Sequence, residues 1–166
     1  VGLSLGAMTI SDFMTLYPDH VLSAVLADGA LTFDLQPKEP EQDLKTFKAN
    51  WKVSMREGSC ADSPFLMSLI DDWRMWQVSH RESPKVFLGT AARKYYQTNK
   101  VKTPVLFIVG ACDFEGTKKA VAELSAMIPG SKIVTIKNAG HFSCIEKPEE
   151  FTENLLRFLA ESLCNF

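Results

Sequence analysis

Three short apolar runs, rich in branched residues and each cut off by a turn, constrain this chain more than any other feature. They are "VLSAVLADG" from Val21, "PVLFIVGACD" from Pro104 and "SKIVTI" from Ser131. Runs of this length and composition read as buried parallel strands rather than helices. Between the last two lies "GTKKAVAELSAMIPG", where Ala120, Val121, Leu124, Met127 and Ile128 fall on one helical face before Pro129 and Gly130. After the third run, Pro148 suits a first helical position and Glu149 and Glu150 suit the positive end of the helix dipole. Phe151, Leu155, Phe158, Leu159 and Leu163 then form an apolar stripe. Strand alternating with helix predicts an α/β fold with a parallel sheet and helical crossovers.

Near the start, Leu5 to Tyr17 is apolar on nearly every face, which predicts a helix covered on all sides. Residues 32–102 break the rhythm with three proline-headed stretches, "EPEQDLKTFKANW", "SPFLMSLIDDWRMW" and "SPKVFLGTAARKYY", with Ser63 and Ser83 placed as N-caps. So long an excursion between strands exceeds a simple crossover and reads as a helical cap inserted over one end of the sheet. The expected organisation is residues 1–31 as a core segment, 32–102 as the cap and 103–166 as the C-terminal core.

With 166 residues, 46% of them hydrophobic, the chain suits one core. A net charge of −2 without basic runs argues against nucleic acid or anionic lipid as partner. Its apolar stretches are broken within about ten residues, short of the roughly 20 that span a bilayer. No signal peptide is legible, and the expectation is a cytoplasmic protein. Cys60, Cys112, Cys144 and Cys164 lack metal-ligand spacing and read as buried free thiols, with Cys112 and Cys144 as filler beside a site. His20 and His80 read as structural.

Parallel strands end on a common sheet edge, where open α/β proteins bind ligands. Three polar residues converge there: Ser4 in "VGLSLGAM", Asp113 after "VLFIVGA", and His141 in "KNAGHFS". The Gly2-x-Ser4-x-Gly6 spacing is that of a sharp strand-to-helix turn, in which the flanking residues are expected to need the absence of a Cβ. Val1 and Gly2 are too little to be the strand that carries it. Asp28, closing "VLAD", is a rival to Asp113 for the acid, although Asp113 is favoured because its strand should neighbour the one before His141.

"GLSLGAMTISDFMTLYPDHVLSAVLADGA", "TPVLFIVGACD" and "IPGSKIVTIKNAGHFSCIEKPEEF" together resemble the elbow, acid and histidine blocks of serine-nucleophile α/β-hydrolases, the esterase and lipase-like group with a helical cap. The resemblance runs over nearly the whole chain, the cap only as a pattern. It implies a partial α/β-hydrolase fold with Ser4 as nucleophile, His141 as general base and then acid, and Asp113 orienting the histidine. The backbone N–H of Leu5 is the implied oxyanion donor. In the family, a second donor comes from a loop upstream of the elbow, for which these residues have no counterpart. Trp73 and Trp76 of the cap, with Phe142, are the candidate substrate-binding side chains.

The expected reaction is hydrolysis of a small, apolar carboxylic ester through an acyl-enzyme, with no metal or organic cofactor. Thioesterase, lactonase and carbon–carbon bond hydrolase share the same triad. A non-catalytic ligand-binding relative or an inert fragment is the reading from another class. The chain reads as the C-terminal part of such a hydrolase, with an N-terminal half missing. Expected consequences are a loosely held Ser4, weak activity, and an exposed "VLSAVLAD" strand edge open to self-association.

Overall fold

The computed structural model describes residues 1–31, 44–60, 64–72, 90–98 and 101–164. Four parallel strands, β1 (Gly2–Leu3), β2 (Ala24–Ala27), β3 (Val105–Gly110) and β4 (Lys132–Ile136), lie side by side in chain order. Phe107 of β3 is in register with Leu26 of β2 and with Ile133 of β4. The same strand ends therefore face one way, and each loop that follows a strand opens at one edge.

Helix α1 (Leu5–Leu16) links β1 to β2, and after β3 the chain forms α5 (Glu115–Met127) before β4. The excursion from β2 to β3 includes α2 (Leu44–Glu57), α3 (Pro64–Asp72) and α4 (Thr90–Tyr96). These fall within the three proline-headed stretches, α2 running past the end of the first. The N-cap expectations at Ser63 and Ser83 lie outside the described residues. A single turn, α6 (Ser143–Glu146), then precedes the long C-terminal helix α7 (Pro148–Leu163).

Period-two alternation divides the core between the two sheet faces. Ala24, Leu26, Val105 and Phe107 point to one face, where Ala7 and Met14 of α1 and Val121 and Leu124 of α5 cover them. Val25, Ala27, Leu106 and Ile108 point to the other, against Phe151 and Phe158 of α7. The predicted stripes of α5 and α7 are thus the faces turned to the core, with Met127, Leu155 and Leu159 partly buried there and the Leu163 side chain outside the described residues. The returning insertion is fastened at Tyr96, whose buried hydroxyl donates to the Ser11 carbonyl at 2.7 Å. Burial raises the Tyr96 pKa, which keeps that hydroxyl a donor at any ordinary pH.

Four expectations need correction. Helix α1 is not covered on all sides: Leu5, Phe13 and Leu16 are exposed, because apolar composition records what a face gains from cover, not whether these residues supply it. Gly2 and Leu3, although only two residues, do form a strand, pairing with Leu26 and Ala27. They lie outside β2, whose four side chains are all buried, so the edge is β1 and not the "VLSAVLAD" run. Strand β4 is the opposite edge, with Ile133 exposed and only Ile136 fully buried. Among the described residues, no helix is long and apolar enough to cross a membrane.

Candidate active site

Ser4 occupies the turn between β1 and α1 at φ 51° and ψ −112°. A non-glycine residue there is strained, at a cost of about 1–3 kcal/mol, and stays only if its surroundings over-determine it. They do so. The Ser4 N–H donates to the Ala27 carbonyl at 2.8 Å, and the Ser4 carbonyl accepts from Ala7 at 2.9 Å and Met8 at 3.2 Å. Ser4 is therefore held to β2 and is not the loose residue expected so near the first residue.

Only one of the two flanking glycines is required by space. A Cβ on Gly2 would collide with the backbone of Gly6, whereas a Cβ on Gly6 meets nothing within 4 Å. The expectation that both must lack a Cβ is thus corrected for Gly6, which projects from the first turn of α1 away from the bend.

Asp113 follows β3, and its N–H turns back to the Gly110 carbonyl at 3.1 Å. His141 lies in the loop after β4, which is seated on the end of β3 by the Cys112 N–H to Ala139 carbonyl bond at 2.8 Å. Adjacent parallel strands thus deliver an acid and an imidazole to one edge. His141 Nδ1 lies 2.8 Å from Asp113 Oδ1, and His141 Nε2 lies 2.8 Å from Ser4 Oγ. An ionised carboxylate only accepts, so Nδ1 carries the proton towards Asp113, leaving Nε2 of the neutral ring to accept from the Ser4 hydroxyl. Asp113 and His141 are buried and Ser4 is half-buried. The rings of Phe114 and Phe142 flank the imidazole at centroid distances of 5.1 and 5.6 Å.

Asp28 has a different set of partners. Its Oδ1 accepts from the Gly110 N–H at 3.0 Å, and its Oδ2 accepts from the N–H of Ser143 at 3.0 Å and its hydroxyl at 2.7 Å. It therefore ties the ends of β2 and β3 to α6. Burial, partly offset by the Ser143 hydrogen bonds and reinforced by the charge of Asp113, pushes its pKa up to about 6.

Leu5 begins α1, so its N–H has no acceptor within the helix and points from the turn that carries Ser4. Phe142 is buried with Leu66 and Ile70 of α3, as part of a small core beneath the helical insertion. Trp73, Trp76 and His80 lie outside the described residues, and His20 is exposed on the surface beside Tyr17.

The cysteines depart from expectation. Cys60 and Cys112 form a disulfide, Cys144 is half-buried and Cys164 exposed. Linear spacing gave no hint of the pair because the chain after α2 folds back over the acid loop, bringing two Cα atoms 52 residues apart to within 6.1 Å. Among the described residues, no group of three or more His, Cys, Asp or Glu could hold a metal ion.

Sequence reasoning missed Glu146. One of its carboxylate oxygens accepts from the N–H groups of Gly140 and Phe142, and the other from that of Cys60. The available signal was an acid five residues beyond His141 in "GHFSCIE", close enough to fold back on its own loop.

Comparison with known proteins identifies the family. A family profile described as the alpha/beta hydrolase family matches residues 1–154. Carboxylesterase YbfK of Bacillus subtilis (strain 168) is 27% identical over 95% of this chain and 56% of its own length. A 72-residue part of the chain, 42% of it, is 36% identical to 29% of Protein ABHD14A of Rattus norvegicus. Among solved structures, a thermophilic esterase superposes with a TM-score of 0.72 at 23% identity, covering 97% of this chain and 65% of that one. The enol-lactonase from Burkholderia xenovorans LB400 also gives 0.72, at 20% identity, over 96% and 64%. The chain thus spans about half the length of the curated carboxylesterases it matches. With the profile covering almost all of it, the chain belongs to the alpha/beta hydrolase family.

Proposed function

We propose that the protein hydrolyses carboxylic esters of small, apolar substrates, with Ser4 as nucleophile. The observation that carries this reading is the unbroken relay from Ser4 Oγ through both nitrogens of His141 to Asp113 Oδ1, each step at 2.8 Å. A serine hydroxyl needs a positioned base at neutral pH, and Nε2 of His141 takes its proton as Oγ attacks the ester carbonyl. Asp113 stabilises the imidazolium, which then protonates the departing alcohol. The acyl group remains on Ser4 until water, activated by the same imidazole, releases the acid. The chemistry balances without a metal or organic cofactor.

The N–H of Leu5 supplies one donor for the oxyanion. Loss of a single donor from such a hole typically costs about 10²- to 10³-fold in rate. A second donor, on whichever residue it lies, is expected to raise the rate by a similar factor. Small neutral molecules fit as partners, and neither nucleic acid nor a membrane is part of this reading. The β1 edge is where an additional N-terminal half, or a second copy, would extend the sheet.

The relatives named carboxylesterases support the reaction class. A fluorophosphonate probe on the whole protein tests it. Labelling at Ser4 that vanishes in Ser4→Ala, together with turnover of a p-nitrophenyl ester, supports the enzyme. No labelling of a folded whole protein would instead favour a hydrolase-like ligand receptor.

A further inference from the structure

One carboxylate binds the loop that carries His141 on both sides of that residue. Glu146 ends the short turn α6, and its Oε1 accepts from the Gly140 N–H at 3.0 Å and the Phe142 N–H at 3.3 Å. These are the amides of the residues immediately before and after His141. The remaining amide, that of His141 itself, donates to the Gly58 carbonyl at 2.6 Å. All three consecutive N–H groups of residues 140–142 therefore have acceptors, which fixes the backbone from which the imidazole projects.

The second oxygen of Glu146 reaches outside the loop. Its Oε2 accepts from the Cys60 N–H at 2.7 Å, just past the end of α2. The contact there is close: a Cβ on Gly140 would overlap the Gly58 carbonyl. Cys60 is in turn bonded to Cys112, the neighbour of Asp113. The turn at 58–60 thus touches both the histidine loop and the acid loop, and Glu146 joins it to the former with a charge-assisted bond, a stronger class than a neutral one.

We infer that Glu146 is a positioning residue for His141, setting the imidazole between Asp113 and Ser4 and coupling that placement to the 58–60 turn of the helical insertion. The inference rests on His141 being the base of the proposed reaction. A glutamine cannot replace the carboxylate fully. Its single carbonyl oxygen serves either the Gly140–Phe142 pair or Cys60, and its amide then presents N–H to N–H on the other side. An alanine releases both.

The test uses the whole protein with Glu146→Gln, Glu146→Ala and His141→Ala, reading kcat and KM on a p-nitrophenyl ester, thermal unfolding, and hydrogen exchange of peptides covering 58–60 and 139–143. Displacing a catalytic group by about 1 Å costs on the order of 10²-fold. Glu146→Ala is therefore expected to lower kcat about 10²-fold with KM nearly unchanged. Glu146→Gln should retain part of the rate, with faster exchange confined to those two segments. Unchanged kcat in Glu146→Ala overturns the inference. So does equal loss in both variants in proportion to lost thermal stability, or failure of both to fold, since each assigns Glu146 to stability alone. Retained activity in His141→Ala would instead bring down the reaction proposed for the site, and the inference with it.

Discussion

Ser4 and His141 are separated by 137 positions in the chain, yet Oγ and Nε2 stand 2.8 Å apart. Neither contact surface is local: β1 places the serine, β4 the histidine, and β2 and β3 lie between them. The distance is therefore a property of the sheet, because the turn after β1 and the loop after β4 both have to reach across the shared edge. The same sheet brings Asp113, and not Asp28, against the imidazole. Asp113→Asn in the whole protein is expected to lower kcat/KM by on the order of 10⁴-fold, since it removes the acceptor that fixes the Nδ1 proton. Asp28→Asn should cost less than about 10²-fold, the scale of a small displacement. Steady-state kinetics of the two variants checks this, and a larger loss from Asp28→Asn would reverse the assignment.

Asp28 should make stability depend on pH. Its folded pKa of about 6 lies above its ordinary value of 3.8, chiefly because burial disfavours the charged form. Between these values the folded state holds a proton that the unfolded chain has released, so stability falls as pH rises through the window. The size of the effect is on the order of 3 kcal/mol. Urea unfolding at pH 4 and pH 7 measures it, with Asp28→Asn expected to lose this contribution to the slope. A parent and variant with equal pH dependence would contradict it.

The two glycines beside Ser4 should respond in opposite ways. Gly2→Ala pushes a Cβ into the backbone of Gly6 and is expected to destabilise the chain and disturb the turn. At Gly6, already helical and facing open space, alanine should be neutral or stabilise the 166-residue chain by up to about 1 kcal/mol. Thermal unfolding of the two single variants separates them.

Phe142 should behave as core. It is buried against Leu66 and Ile70, and truncating such a ring typically costs about 3–5 kcal/mol. Phe142→Ala is thus expected to lower the unfolding midpoint sharply. A variant with unchanged stability and a raised KM would return the residue to the substrate-binding role read from sequence.

The sequence by itself determined the strands from Val105 and Lys132, the buried faces of α5 and α7, and the order in which a serine, an aspartate and a histidine arrive at strand ends. These are local matters: a period of two or 3.6, or a turn after an apolar run, is written in neighbouring residues. Tertiary structure alone decided that Cys60 pairs with Cys112, that one face of α1 lies open, and that Glu146 spans from the histidine loop to Cys60. Each depends on residues tens of positions apart becoming neighbours. Strand order and the return of the inserted helices set those meetings, and neither leaves a periodic trace in the chain.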